Sequence, residues 1–144
     1  MKKITALGLL LFLTACQSGT VTLRNLDKHI DDENYLFIDI RDLEEKYSDG
    51  YIEGFTFLPL NSYLFAENIL RPPMFGRFRD SDVLDQERLE SYLDRSKTIV
   101  IICRSGNRSA YFRTVLESLD YDVIDLGGII HYQGDLLRFP DNES

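Results

Sequence analysis

The sequence has few of the residues that hold metals or cofactors. It contains two cysteines and two histidines among 144 residues. These four residues are spread along the chain without the spacing of a metal site, and no glycine-rich phosphate-binding motif is present. We therefore expect neither a bound metal nor a nucleotide cofactor.

Positive charge is also scarce. The chain has 16 lysines and arginines against 24 aspartates and glutamates, for a formal net charge of −8. Such an acidic chain is not typical of proteins that bind nucleic acid. Against this background Arg104, Arg108 and Arg113 form a local basic cluster, to which we expect small anions to be drawn.

The apolar run at the N-terminus is too short to span a bilayer. It covers residues 4–15 and follows Lys2 and Lys3, whereas a spanning helix needs about 20 apolar residues. This pattern is typical of a signal peptide that is removed from the mature protein. Removing 15 of the 144 residues leaves 129, enough for one domain. We expect that domain to cover residues 21–138, with a polar tail at 139–144.

The end of the apolar run indicates a lipid anchor. Leu13-Thr14-Ala15-Cys16 resembles the bacterial lipobox, in which Cys16 becomes the acylated first residue and two or more acyl chains hold the protein firmly on a membrane. Gln17, where aspartate would be the retention signal, resembles sorting to the outer membrane in enteric-type bacteria. We expect residues 16–20 to tether the domain there, facing the periplasm. An ordinary secretory signal with an incidental cysteine is the alternative.

With Cys16 committed to lipid, Cys103 has no partner for a disulfide. It ends an apolar run, residues 98–103, that is typical of a central parallel strand buried on both faces. Residues 107–119 then follow a helical pattern. Cys103 therefore lies before a helix N-terminus, where unpaired backbone N–H groups favour an anion such as a thiolate.

The loop after Cys103 has the residues needed to bind an anionic substrate. Two arginines supply charge, Gly106 allows a tight turn, and serine hydroxyls and backbone amides supply hydrogen bonds. We expect Cys103 to act as a nucleophile. The predicted binding residues are Arg104, Ser105, Gly106, Asn107, Arg108 and Ser109. The alternative is a core cysteine that ends the strand.

The same residues resemble a known family. The segment from Cys103 to Ser109, Cys-Arg-Ser-Gly-Asn-Arg-Ser, is similar to the active-site loop of single-domain rhodaneses. Residues 37–41, 50–54 and 127–129 resemble other segments of that family in order and spacing, over about residues 20–138. Tyr51, Phe55 and Tyr132 depart from the usual histidine, alanine and tryptophan. These departures leave the shape of the substrate pocket open.

The resemblance implies an α/β fold, namely an open, mainly parallel five-stranded sheet with helices on both faces. The strand patterns cover residues 20–23, 35–40, 55–58, 98–103 and 121–126. Helical patterns cover residues 42–47, 62–70, 83–93 and 107–119, and a terminal helix is expected after Gly128. Asp39 and Arg41 end the second strand, where a structural salt bridge is favoured over a catalytic role. Residues 74–80 are interpreted as a surface loop or as a flap near Cys103.

The resemblance also implies a sulfurtransferase that carries sulfur as a persulfide on Cys103. A small sulfur-containing anion such as thiosulfate would be the donor, and a thiol, cyanide or a protein would be the acceptor. A related phosphatase or arsenate reductase is disfavoured, because such enzymes place arginine six residues after cysteine and here that position is Ser109. A lipid-tethered binding or carrier module without turnover, docking a partner through residues 61–91, is the third hypothesis.

Overall fold

The computed structural model describes residues 20–141, and these form an α/β fold around a parallel sheet. Four strands lie in the order β3-β1-β4-β5, all parallel, and β2 and β6 form a separate antiparallel pair. The strands are β1 (Tyr35–Asp39), β2 (Tyr51–Ile52), β3 (Thr56–Phe57), β4 (Thr98–Cys103), β5 (Val123–Gly128) and β6 (Leu137–Arg138).

The central position of β4 in the sheet explains why its sequence is apolar. It pairs with β1 on one side and with β5 on the other, and every residue after Thr98 is buried. Successive side chains of a strand point to opposite faces of the sheet. Ile101 and Cys103 accordingly join one apolar cluster, and Val100 and Ile102 join the other. Covered on both faces, the strand contains no alternating polar residue.

Helical segments cover the two faces unequally. The longest, α3, packs Phe112, Val115 and Leu116 into the cluster that contains Cys103. The other face is covered by short turns that bury Leu26 and Ile129. The α-helices are α1 (Glu45–Asp49), α2 (Gln86–Glu90) and α3 (Asn107–Ser118); a π-helical segment covers Leu60–Phe65, and 3-10 turns cover Leu26–Lys28, Asp80–Asp82 and Ile129–His131.

The predicted first strand, residues 20–23, is wrong, and the parallel sheet has four strands instead of five. Val21 is buried in the core, but the chain turns directly after it. The side chain of Asn25 accepts hydrogen bonds from the backbone N–H of Thr22 at 2.7 Å and from its hydroxyl at 3.0 Å. Such local side-chain bonds compete with strand pairing and close a turn instead.

Two predicted helices are shorter than their patterns suggested. In place of a helix over residues 83–93, α2 begins at Gln86 because the Asp85 side chain accepts the backbone N–H of Arg88 at 3.0 Å and caps it. Val83 pairs with Leu70 in an isolated antiparallel bridge. The helix expected over residues 62–70 is replaced by the π-helical segment.

The terminal helix expected after Gly128 is a single 3-10 turn, after which the chain forms β6. Tyr132 accounts for the path of the chain after this turn, because its hydroxyl donates to Asp27 and accepts the backbone N–H of Leu136. No helix within residues 20–141 has the length and hydropathy of a membrane span. The predicted signal peptide, Cys16 and most of the tether lie outside the described residues, as do residues 142–144 of the predicted tail.

Candidate functional site

Cys103 lies at the carboxyl end of β4, with its side chain in the apolar cluster beneath α3. The residue is only 1% exposed. Its Sγ accepts the backbone N–H of Gly106 at 3.0 Å, and the Ser109 hydroxyl oxygen lies 3.5 Å from it. Ser109 is itself buried and donates to the carbonyl of Gly106 at 3.1 Å. The sulfur therefore accepts one backbone hydrogen bond and lies next to a hydroxyl oxygen whose own proton is donated to the carbonyl of Gly106.

Two glycines shape the loop around the sulfur. Gly106 has a φ of +105°, a conformation that side chains disfavour, and it directly precedes α3. Gly128 on β5 is constrained by space, because a Cβ there would lie 2.5 Å from the carbonyl oxygen of Arg104 and 2.7 Å from Cα of Ser105. Gly128 is not among the site residues that the sequence predicts. The sequence feature that indicates its importance is its place in the Gly-Gly-Ile segment, residues 127–129, which resembles a segment of the family.

Helix α1 holds both arginines of the loop. Arg108 forms two hydrogen bonds of 2.7 Å to the carboxylate of Glu45, and its side chain is 24% exposed. Arg104 donates from Nε to Asp49 at 2.9 Å and is 54% exposed. Neither carboxylate was predicted from the sequence. The sequence feature that indicates them is the acidic segment that follows β1. Because the carboxyl ends of parallel strands lie at one edge of the sheet, this segment lies near the loop that follows β4.

These ion pairs change the electrostatics that the sequence suggested. The hydrogen bond from Arg108 holds the pKa of Glu45 below its usual range, and the bond from Arg104 does the same for Asp49. Arg113 pairs with Glu117 one helical turn away. The expected cluster of three arginines is thus matched by three carboxylates, and the site is less positive than the arginines alone imply.

A cavity of about 220 Å³ adjoins the loop. An engineered cavity of about 150 Å³ holds benzene, so this space suffices for a small sulfur anion or an organic group of similar size. Residues from α3, from the π-helical segment and from the chain after it form the walls, and most of them are apolar. The lining residues are Leu60, Asn61, Phe65, Pro73, Asn107, Arg108 and Tyr111.

Asp39 and Arg41 form a buried ion pair at the end of β1. The two side chains are 1% and 0% exposed, and Nη2 of Arg41 lies 2.7 Å from the Asp39 carboxylate. Nη2 also donates to the carbonyl of Gly50 at 2.9 Å. Arg41 thereby joins the end of β1 to the residue between α1 and β2. This pair sets the position of α1, which in turn holds the loop.

Comparison with known proteins agrees with this architecture. Residues 22–134 match the Rhodanese-like domain family. The chain therefore belongs to the rhodanese-like family. That membership supports a sulfurtransferase-type or related cysteine-dependent function. No match was found among proteins with curated descriptions.

Solved structures show the same fold at low identity. A protein from Staphylococcus saprophyticus is 24% identical, with 83% of this chain and 97% of that chain covered and a TM-score of 0.54. A rhodanese-like domain protein from Staphylococcus aureus is 19% identical over 83% and 96% of the two chains, with a TM-score of 0.55. A single-domain sulfurtransferase from Saccharomyces cerevisiae is 17% identical over 78% and 85%, with a TM-score of 0.53.

Replacing Arg41 with methionine should destabilise the protein strongly. The substitution leaves the carboxylate of Asp39 buried without its counter-charge, which costs about 3–5 kcal/mol of the free energy of unfolding. Urea denaturation measures this loss. Arg113→Met is the control, because its exposed pair with Glu117 contributes about 0.3–0.5 kcal/mol. Equal losses in the two variants would contradict the structural role of the buried pair.

Glu45→Gln should lower the melting temperature at neutral pH, and the difference from the parent should vanish in acid. Since Arg108 lowers the pKa of Glu45 in the folded chain, the unfolded chain binds this proton more readily. The stabilisation is complete above the unfolded pKa of about 4.3 and disappears as the pH falls through the lower folded pKa. Thermal melts across pH measure it, with Glu117→Gln as the control. A pH-independent difference would contradict the ion pair.

Proposed function

We propose that the protein is a membrane-anchored sulfurtransferase that carries sulfane sulfur as a persulfide on Cys103. In the first half-reaction the Cys103 thiolate attacks the outer sulfur of an anionic donor such as thiosulfate. A new S–S bond forms, the S–S bond of the donor breaks, and sulfite leaves with the electron pair. In the second half-reaction a thiol or cyanide attacks the terminal sulfur and releases the Cys103 thiolate.

The observation that carries this proposal is the backbone N–H that is directed at the sulfur of Cys103. The backbone N–H of Gly106 lies 3.0 Å from Sγ, and the Ser109 hydroxyl lies at 3.5 Å. The N–H of Gly106 stabilises a thiolate before attack and again when the acceptor removes the sulfur, whereas the Ser109 hydroxyl donates to the carbonyl of Gly106. Ser105 and Asn107 flank Gly106 in the loop. Membership of the rhodanese-like family supports the same chemistry.

The two loop arginines orient the anionic donor in unequal ways. Arg108 lines the cavity and is the less exposed of the two. Arg104 directs Nε to Asp49 and is more than half exposed. The donor therefore binds mainly to Arg108, which keeps Glu45 as a second partner.

The location follows from the N-terminal sequence. Acylation of Cys16 anchors the domain to the bacterial cell envelope, with Gln17 directing it to the outer membrane and the domain facing the periplasm. Thiols in that compartment face oxidising conditions. A protein that exchanges sulfur with Cys103 is a further partner, in addition to the small donor and the thiol or cyanide acceptor.

The purified full chain should gain one sulfur atom on Cys103 when incubated with a sulfur donor. Intact-protein mass spectrometry measures the added mass, and Cys103→Ser is the matched control that should gain none. A thiol or cyanide added afterwards should remove the sulfur. The donors to compare are thiosulfate, polysulfide and glutathione persulfide. No added sulfur from any of them would overturn the proposal, and sulfur that no acceptor removes would indicate a carrier without turnover.

Arg108→Ala should reduce kcat/KM with thiosulfate more than Arg104→Ala does. A charge-assisted hydrogen bond contributes roughly 1.5–3 kcal/mol, which corresponds to about a ten- to hundredfold loss for Arg108. Solvent screening reduces the effect of the more exposed Arg104. Steady-state kinetics of the two variants provide the comparison. A near-parent value for Arg108→Ala together with a large loss for Arg104→Ala would reverse the assigned roles.

A further inference from the structure

A second basic region lies outside the candidate site, on a loop that we call the arginine loop, residues 71–79. It contains Arg71, Arg77 and Arg79 and no acidic residue, in a chain whose net charge is −8. Seven other arginines form salt bridges, but within residues 20–141 these three have no carboxylate partner within 4.0 Å. Their positive charge is therefore not compensated within the described chain.

The tip of the arginine loop presents apolar side chains to water. Phe75 is 92% exposed and Met74 is 51% exposed. Phe75 also has a φ of +56°, a conformation that is unfavourable for a residue with a bulky side chain, and Gly76 follows with a φ of +69°. A side chain that is 92% exposed buries little apolar surface within the described chain. Such a residue indicates a contact made outside the chain.

The base of the arginine loop is fixed to the domain. The backbone N–H of Arg71 donates to the backbone carbonyl of Asp82 at 2.7 Å, and the Tyr111 hydroxyl donates to the carbonyl of Arg71 at 2.9 Å. Phe78 packs edge-on against Tyr111, with ring centroids 6.2 Å apart. These contacts fix the base of the arginine loop, and the tip extends away from the core.

The carboxylates next to the arginine loop do not cancel its charge. Asp82 is 3% exposed and accepts the backbone N–H of Arg79 at 2.8 Å, so it points inward. Asp80 is the one carboxylate between residues 71 and 82 that reaches the surface. Three arginines on both sides of an apolar tip therefore remain positive overall.

We propose that the arginine loop binds an anionic lipid surface. Phe75 and Met74 enter the boundary between headgroups and acyl chains, and the three arginines contact lipid phosphates, which they match well in geometry and charge. A lipid surface fits better than a protein as the partner. The surface of two apolar side chains is far smaller than the roughly 800 Å² that each partner buries in a standard protein interface. Because the rest of the domain is acidic, anionic lipid repels it. The domain is therefore oriented with the arginine loop toward the lipid surface.

This contact would place the candidate site at the membrane. Pro73 of the arginine loop and Tyr111 beneath it both line the cavity next to Asn107 and Arg108. The loop and the cavity therefore share a wall. The proposal rests on the arginine loop alone and holds whether or not Cys16 carries lipid.

The chain lacks tryptophan, so Phe75→Trp introduces a single reporter at the tip. We expect its emission to shift to shorter wavelength when the full chain is mixed with vesicles of phosphatidylcholine and phosphatidylglycerol. Brominated phosphatidylcholine in the vesicles should quench it. Phe139→Trp is the matched control, because Phe139 is also exposed, at 58%, but lies beside β6. Its emission should stay as in water.

Adding Arg77→Glu and Arg79→Glu to the Phe75→Trp variant should abolish most of the quenching, and high salt should weaken it. Arg24→Glu with Lys28→Glu is the charge-matched control and should leave quenching intact. The proposal is overturned if the tryptophan of the Phe75→Trp variant stays water-exposed while the chain sediments with the vesicles. A loop that binds a protein would give this result. Quenching that survives both glutamate substitutions would also overturn it.

Discussion

The position of Cys103 depends on the pairing of β4 with a parallel strand on each side. That pairing buries five consecutive residues and brings the sulfur to the sheet edge where three strands end together. The loop that follows begins among these strand ends, so backbone groups from β4, β5 and α3 come within reach of one another. A surface loop could not hold a thiol at 1% exposure against a backbone donor.

The carboxylates of α1 give the site a different charge balance from the one that its arginines suggest. Glu45 and Asp49 sit on a helix of five residues that could not be stable alone. The helix is held because Arg41 binds the residue after it and because the loop arginines bind its acidic side chains. The arginines therefore fix the loop to α1. Arg108 contributes most to this contact, because it is partly buried and forms two hydrogen bonds to Glu45.

The sequence predicted the parts of the fold that have strong local patterns. The apolar run ending at Cys103 and the helix after it are confirmed, as is the α/β class with a mainly parallel sheet. The missed parts depend on contacts between distant residues. Strand β6 has two residues and no pattern of its own, and Glu45 meets Arg108 across 63 positions of the chain. The false strand at residues 20–23 arose because the local bonds of Asn25 outweigh an apolar pattern.

One irregularity between β4 and β5 determines what lies beside the sulfur. Ile101 pairs with Asp125, but Cys103 pairs with Gly128, so β5 uses three residues where β4 uses two. The extra residue brings a glycine next to the loop, at a point where a Cβ would lie 2.5 Å from the carbonyl oxygen of Arg104. The room around the nucleophile is thus governed by the number of residues in a neighbouring strand. A deletion in β5 would therefore alter the space beside Cys103 while every residue of the loop is retained.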